Sequence, residues 1–404
     1  MLRPDHSPVK PPKSAKPDKS AKLAKPDKSE EARPEAPSPR QTVLRRGLQA
    51  HTDFLSFATR RFGNIARLWF VMDPEENMKL ANKQFVRGCE EIGFSGCLTT
   101  LWRQLDHDGS GYIALGDIDP QVALQLADLK VLLSQEFEGS ADKFMKSVDL
   151  KGSHRVNKDE FVRAMDTLKC PAGSSRRLFD LLCRCNCTTI SVKDLLFLQR
   201  WSPPPYYFVC GDLRLLSSFR SALAELHGSA LRAWFRLWDP DRLFRVSWFR
   251  FRLGVANIAR RHGGLPNMEE DTAKVWRTMD EECFGWATLR TFHPEAFEAA
   301  ARLKRWATVS HGSVAKFIAS VLKKLESQGL RLSKSVFRKV LMDEELLPKE
   351  AADLLFEGLD VDEHGVLAEQ DVRCLDKWDL VFEEEAQARR VHVGTSSSPK
   401  RQGL

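Results

Sequence analysis

Side chains that carry oxygen recur at alternate positions from Asp106 to Ser110, and a further carboxylate follows at Asp117. Asp106, Asp108 and Ser110 take positions 1, 3 and 5 of a twelve-residue stretch, so their oxygens can converge on one hard cation. Tyr112, at position 7, offers its main-chain carbonyl oxygen, and Asp117 closes the stretch at position 12. This donor set is typical of Ca²⁺ coordination by a single loop.

The residues between these donors fit the same loop. Gly111 at position 6 allows the left-handed backbone of a sharp turn, and Ile113 at position 8 is apolar and able to pair with a second loop. Asp117 is shorter than the glutamate common at position 12, which predicts weaker Ca²⁺ binding and better tolerance of Mg²⁺. The simpler alternative is an acidic turn of Asp, Gly and Ser, which leaves the full set of positions unexplained.

Residues 106–117 resemble an EF-hand loop, and the flanking residues agree with that resemblance. Leu101 to Leu105 has the pattern of the end of an entering helix, and Ile118 follows as an apolar exit residue. The resemblance implies membership of the calmodulin-like EF-hand superfamily. In sensor members of that superfamily, Ca²⁺ opens a helix pair and exposes an apolar groove for a target helix.

Loops similar to 106–117 recur when the chain is aligned on the apolar residue at position 8. The sequence around them is amphipathic with a helical period. Because an EF-hand buries its apolar helix faces only against another hand, two blocks of four hands predict two pairs in each block. The loops begin at Asp73, Asp106, Asp149 and Cys183 in the first block, and at Asp239, Asp280, near Leu325 and at Asp360 in the second.

The predicted fold is therefore all-α, with tandem paired EF-hands in two helical lobes. The first lobe spans 48–201 and the second spans 214–386, and a proline-rich linker at 202–213 separates them. Residues 1–47 and 387–404 are basic and hold few large apolar side chains, which predicts disordered tails.

Most of the other loops have lost side chains that bind Ca²⁺. Cations and amides stand where carboxylates are needed, and a cation at such a position repels Ca²⁺. We therefore expect these loops to hold no ion. The main changes are Gln84 at position 12 of the first loop, Lys151 at position 3 and His154 at position 6 of the third, Arg250 at position 12 of the fifth, and Phe284 at position 5 of the sixth.

Loop 360–371 is a second, weaker candidate for Ca²⁺. Asp360, Asp362 and Asp371 stand at positions 1, 3 and 12, with glycine at position 6. His364 replaces the oxygen donor at position 5, where a main-chain or water oxygen would have to serve.

The charge of the chain is concentrated at its ends. The formal net charge is +7, and residues 1–41 and 389–404 together contribute +8, which leaves the body near −1. This distribution argues against nucleic acid as a partner, whereas the basic tails suit peripheral contact with an anionic membrane surface. The sequence has no apolar run of ~20 residues and no apolar leader, so we expect a cytoplasmic or nuclear protein without a signal peptide or transmembrane segment.

Two further features each have two interpretations. Cys183, Cys185 and Cys187 could bind a soft metal ion, but no nearby histidine completes a ligand set and reduced thiols are the simpler interpretation. The stretch from Trp234 to Gly254 interleaves aromatic residues with arginines. It suits either contact with nucleic acid or an anionic surface, or a lobe core with arginines at its edge, and the aligned loops favour the core.

The chain contains no phosphate-binding loop, metalloprotease helix, kinase catalytic loop or nucleophile elbow, so we expect no enzyme activity. The predicted function is Ca²⁺ binding by loop 106–117, in a sensor or modulator that acts through a protein target. The alternative is a calcium-independent interaction scaffold in which degenerate hands are packing modules. A regulatory arm for an enzyme on another chain fits the same sequence.

Overall fold

The computed structural model describes residues 39–168, 174–184, 187–262 and 268–380. Within these residues the chain is mainly helical, with twenty α-helices and six short strands. The prediction of a predominantly helical protein is therefore confirmed. Of the predicted tails, residues 1–38 and 387–404 lie outside the described residues, as do residues 381–386 of the second predicted lobe.

The first half of the described chain, residues 39–201, holds ten of these helices. A single 3₁₀ turn, Val192–Asp194, precedes the last of them. The helices are α1 (Pro39–Phe62), α2 (Ile65–Met72), α3 (Asn82–Glu91), α4 (Leu98–Leu105), α5 (Leu115–Ile118), α6 (Pro120–Glu136), α7 (Ala141–Val148), α8 (Lys158–Thr167), α9 (Ser174–Leu182) and α10 (Leu196–Arg200).

The second half, residues 214–380, holds the other ten helices, except that the first of them begins at Leu213, one residue before the predicted start of this half. They are α11 (Leu213–His227), α12 (Ala230–Leu237), α13 (Trp248–His262), α14 (Met268–Met279), α15 (Leu289–Phe292), α16 (Pro294–His311), α17 (Val314–Glu326), α18 (Lys334–Asp343), α19 (Lys349–Leu359) and α20 (Glu369–Lys377).

Side chains at the helix ends explain several of these boundaries. Asn64, Ser140 and Ser313 each accept a hydrogen bond from a backbone N–H in the first turn of the following helix, which satisfies one of its unpaired donors. Pro120 and Pro294 stand at the first positions of the two long helices α6 and α16, where proline has no N–H bond to lose.

The six strands form three short antiparallel pairs. They are β1 (Leu80–Ala81) with β2 (Tyr112–Ile113), β3 (Val156–Asn157) with β4 (Thr189–Ile190), and β5 (Arg245–Ser247) with β6 (Trp286–Thr288). In each pair, position 8 of one predicted loop lies opposite position 8 of the next: Leu80 faces Ile113, Val156 faces Ile190 and Val246 faces Ala287. An isolated antiparallel bridge between Ser333 and Val366 joins the last two loops.

The first helix begins earlier than the sequence suggested. The sequence predicts a tail over residues 1–47, but α1 starts at Pro39. Gly47 is buried, and a Cβ atom added there would lie 2.6 Å from Oε1 of Gln104 in α4. Gly47 thus allows α1 to approach α4 closely, a contact that a hydropathy pattern does not predict.

The aromatic stretch that begins at Trp234 packs largely into the core. Trp234, Trp238, Phe244 and Phe251 are almost completely buried, whereas Phe249 is 52% exposed. The ring of Trp238 packs against that of Phe251 in a tilted arrangement, with centroids 5.0 Å apart. The packing interpretation of this stretch accounts for these contacts.

The segment between the halves, residues 202–213, is packed rather than free. The prolines predict a linker here, yet Tyr206 and Tyr207 are buried, and the 3₁₀ turn Pro205–Tyr207 contacts α14. The Tyr206 ring lies 5.0 Å from the ring of Trp248 and 6.0 Å from that of Trp276. The described residues from Pro39 onward accordingly belong to one compact unit. None of the described helices is both long and apolar enough to cross a lipid bilayer.

Candidate metal centre

Loop 106–117 lies between the end of α4 and the short helix α5. Asp106 caps α4, and its backbone N–H donates to the carbonyl oxygen of Trp102 at 2.8 Å. Tyr112 then enters strand β2, where it pairs with Ala81 of the preceding loop. Asp117 lies in α5, and its Oδ2 accepts a hydrogen bond of 2.7 Å from the backbone N–H of Ala114. Both ends of the loop are thereby fixed by secondary structure.

Three of the predicted oxygen donors lie close together. The Ser110 hydroxyl oxygen lies 3.3 Å from Oδ1 of Asp106 and 3.0 Å from the carbonyl oxygen of Tyr112, both within hydrogen-bond distance. Ligands bound to Ca²⁺ at its usual distances have neighbouring oxygens about 3 Å apart. The oxygen at position 5 is therefore spaced from the oxygens at positions 1 and 7 as neighbouring ligands of one Ca²⁺ ion would be.

The two remaining donors add negative charge beside this group. The exposed Asp108 accepts a 3.0 Å hydrogen bond from the backbone N–H of Ser110. Burial, together with the nearby carboxylates of Asp108 and Asp106, raises the pKa of Asp117 to about 6, although His107 and the Ala114 N–H act in the opposite direction. A divalent cation would offset this repulsion, so the electrostatics fit a cation site.

The turn of the loop depends on a carboxylate as well as on glycine. Gly111 has a φ of +79°, and its N–H lies 3.2 and 3.3 Å from the two carboxylate oxygens of Asp106. Asp106 can therefore close the turn in addition to binding an ion.

The first residue has the same turn-closing role in the five other loops that begin with Asp, which sequence reasoning missed. In each of these five loops, the Asp at position 1 accepts hydrogen bonds from the backbone N–H groups of positions 5 and 6. The repeated Asp at a fixed distance from the apolar position 8 was the available signal, because it persists where other ligands are lost. The acceptors are Asp73, Asp149, Asp239, Asp280 and Asp360.

Loop 149–160 repeats the donor geometry of loop 106–117 to a degree that the sequence did not suggest. The Ser153 hydroxyl lies 3.2 Å from Oδ1 of Asp149 and 2.6 Å from the carbonyl oxygen of Arg155, so positions 1, 5 and 7 converge here too. The ammonium group of Lys151, at position 3, lies 2.5 Å from Oε1 of Glu160 at position 12. Lys151 holds the pKa of Glu160 below its ordinary value. The loop therefore carries a cation of its own.

An internal ion pair also joins positions 3 and 12 of loop 239–250, with the signs reversed. Arg250 Nη1 lies 3.2 Å from Oδ2 of Asp241. The closing residue is here the cation, so the loop lacks the carboxylate that Ca²⁺ requires at its end.

Loop 360–371 has a turn like that of loop 106–117 but not its cluster of oxygens. Asp360 accepts the backbone N–H groups of His364 and Gly365 at 2.9 and 3.0 Å, and Asp371 accepts that of Ala368 at 2.8 Å. Asp362 is exposed. Because position 5 is histidine, it has no side-chain hydroxyl to link positions 1 and 7.

Two arginines also brace loop 360–371. Arg232 Nε donates to the carbonyl oxygen of Asp360 at 3.0 Å, and Arg242 Nη1 donates to that of Asp371 at 2.8 Å. Their positive charges oppose the binding of a second cation.

The cysteine cluster is only partly described, because Cys185 lies outside the described residues. The Cys183 thiol donates to the carbonyl oxygen of Cys187 at 2.8 Å. Across the described parts of the chain, no three side chains of His, Cys, Asp or Glu form a metal-binding group. Loop 106–117 would instead combine carboxylates with a hydroxyl and a carbonyl oxygen, which are the ligands that Ca²⁺ prefers.

No protein-family model matches the sequence, and a search of curated proteins gives no match.

Proposed function

We propose that this protein binds one Ca²⁺ ion in loop 106–117 and acts as a calcium sensor or modulator through a protein partner. The observation that carries the proposal is that the Ser110 hydroxyl oxygen lies 3.3 Å from Oδ1 of Asp106 and 3.0 Å from the carbonyl oxygen of Tyr112. Carboxylates at positions 3 and 12 supply the negative charge that a bound dication needs.

We further propose that the eight loops are EF-hands of the calmodulin-like superfamily, arranged in four pairs. Two features support this assignment. Strands pair at position 8 of successive loops, and position 6 has a left-handed backbone whether it is Gly111, His154 or Phe244. A non-glycine residue at such a φ is costly, so the loop conformation is imposed by the fold rather than by local preference.

Each donor would have a separate task when Ca²⁺ is bound. Asp106 and Asp108 supply charge, Ser110 and Tyr112 supply neutral oxygens, and Asp117 ties the ion to α5. The ion supplies a charge that holds both ends of the loop. Aspartate at position 12 favours modest affinity and leaves Mg²⁺ as a competitor.

Calorimetric titration of the metal-stripped chain with Ca²⁺, at a physiological level of Mg²⁺, tests this proposal. Asp106→Asn is the informative variant, because the amide oxygen can still accept the Gly111 N–H while the charge is lost. We expect micromolar binding in the native chain and a loss of at least tenfold in affinity in the variant. Asp362→Asn, in loop 360–371, is the matched control and should leave this binding event unchanged. Equal binding by Asp106→Asn and the native chain would refute the assignment to loop 106–117.

A second candidate function is a calcium-independent scaffold. The observation that favours it is that loops 149–160 and 239–250 hold internal ion pairs and need no bound metal to balance their charges. A sensor should change its exposed apolar surface with Ca²⁺, whereas a scaffold should not. Binding of a hydrophobic dye in Ca²⁺ and in chelator distinguishes the two: a difference that Asp106→Asn abolishes supports the sensor, and equal fluorescence supports the scaffold.

A further inference from the structure

Loop 106–117 touches the second half of the chain through its second residue. The ring nitrogen Nε2 of His107 lies 3.2 Å from the carbonyl oxygen of Gly285, and Nδ1 lies 3.1 Å from that of Leu105. Gly285 belongs to loop 280–291, which has Phe284 at position 5 and is not expected to bind an ion. The candidate calcium loop therefore faces a loop of the other half that keeps its shape without an ion.

A second contact lies beside the first. Gln121 Nε2, in α6, donates to Oε2 of Glu282 at 3.0 Å. Glu282 is in loop 280–291, and α6 follows α5 with a single residue between them. Both the start of loop 106–117 and the helix after its exit are thus attached to the same opposing loop.

The third contact comes from the connecting segment. A Cβ atom added to Gly116 would lie 2.0 Å from the hydroxyl oxygen of Tyr207 and 3.3 Å from its Cζ. Gly116 directly precedes Asp117, so the buried tyrosine packs on the backbone next to the closing carboxylate. A cavity of about 160 Å³ adjoins this contact and is lined by Asp117, Tyr207 and Trp248, among others.

We infer that these contacts couple Ca²⁺ binding in loop 106–117 to the packing of the two halves against each other. The inference rests on the proposed function. The contacts attach residues at the start and near the end of loop 106–117 to the opposing loop and to Tyr207. An ion that fixes both ends of the loop should therefore strengthen the contacts, and thermodynamic reciprocity then requires that the contacts strengthen binding of the ion.

Glu282→Ala tests the coupling, because it removes an acceptor from the opposing loop without altering any residue of loop 106–117. Glu281→Ala is the matched control, since Glu281 is the exposed neighbour of Glu282 in the same loop. Calcium titration of both full-length variants should show an affinity about fivefold weaker for Glu282→Ala and unchanged for Glu281→Ala.

Hydrogen exchange measures the reciprocal effect. Addition of Ca²⁺ to the native chain should slow exchange in residues 280–290, and this protection should shrink in Glu282→Ala. A variant that merely loosened the fold would exchange faster in chelator without changing the response to Ca²⁺.

The outcomes separate the two proposals. Calcium binding that depends on Asp106 but is equal in the Glu281 and Glu282 variants, with no protection of residues 280–290, would overturn the coupling alone. Absence of calcium binding by the native chain would overturn the proposed function and the coupling with it.

Discussion

The charge at position 3 distinguishes the two loops with the most similar oxygen geometry. Asp108 in loop 106–117 and Lys151 in loop 149–160 occupy equivalent positions, and in both loops a serine hydroxyl joins positions 1 and 7. The Lys151 ammonium group pairs with Glu160, which is the closing carboxylate that Ca²⁺ would otherwise bind. The residue at position 3 can therefore determine whether the closing carboxylate of such a loop binds a metal ion or pairs with a lysine of the same loop.

Lys151→Asp should accordingly create a second calcium site. The variant would place carboxylates at positions 1, 3 and 12 and remove the competing cation, while the turn at His154 stays as the fold sets it. We expect calorimetry to show a second binding event, of about one additional ion per chain. Lys146→Asp, an exposed charge reversal in the preceding helix α7, is the control and should add none. A single event in Lys151→Asp would mean that the ammonium does not stand in for the ion.

The raised pKa of Asp117 predicts a pH dependence of calcium binding. Asp117 must be ionised to bind Ca²⁺, and its pKa in the ion-free protein is about 6. Because this folded-state pKa lies above the ordinary value of 3.8, the folded chain takes up the proton more readily than the unfolded chain does. The group thus lowers stability as the pH rises from about 4 to 6, and Ca²⁺ offsets that loss above pH 6. Affinity should fall by up to about tenfold per pH unit below 6.

Titrations at pH 6 in buffers of different ionisation enthalpy measure the protons released on binding. We expect the native chain to release about half a proton from Asp117. Asp117→Asn should release none at whatever affinity remains. Affinity that stays constant between pH 7 and 5 would contradict an Asp117 pKa near 6.

At the scale of the elements, the connecting segment sets a steric limit on α5. The contact of Gly116 with Tyr207 leaves no room for a methyl group, so Gly116→Ala should lower the free energy of unfolding by about 1 to 3 kcal/mol. Tyr207→Phe removes the atom that would clash, and the double variant should recover most of the loss. Urea denaturation of the two single variants and the double variant checks this. Additive effects would show that the hydroxyl is not the obstacle.

The contrast between loops and helix contacts shows how far the sequence could predict this structure. The candidate ligands of loop 106–117 lie within twelve residues of one another, so residue types at fixed spacing are enough to predict them. The Lys151 and Glu160 pair was also accessible, because opposite charges stand at positions 3 and 12. The contact of His107 with Gly285 spans 178 residues and uses a main-chain oxygen, which no residue pattern records. The sequence does not predict the packing of residues 202–213. Its prolines indicate only a break in helix, whereas the burial of Tyr206 and Tyr207 depends on the assembled core.

At the scale of the whole molecule, the two halves are expected to unfold together. They form one compact unit, and Tyr206 from the connecting segment packs against Trp248 and Trp276 of the second half. Two lobes on a free linker would instead melt as independent units. The cooperativity of unfolding therefore reports on whether the two halves are packed together, as the coupling to Ca²⁺ requires.

Unfolding in urea should give coincident transitions when it is followed by tryptophan fluorescence and by far-ultraviolet circular dichroism. Calcium at a hundredfold excess over its dissociation constant should move both transitions together, by about 2.7 kcal/mol, because one ion stabilises a cooperative unit that includes both halves. Glu282→Ala should reduce the shared displacement, whereas Glu281→Ala should not. Two separate transitions, of which Ca²⁺ moves only one, would show that the ion stabilises its own half alone. Coincident transitions that both follow Ca²⁺, with a smaller displacement in Glu282→Ala than in Glu281→Ala, would make the contact between loops 106–117 and 280–291 a route by which the ion acts on the second half.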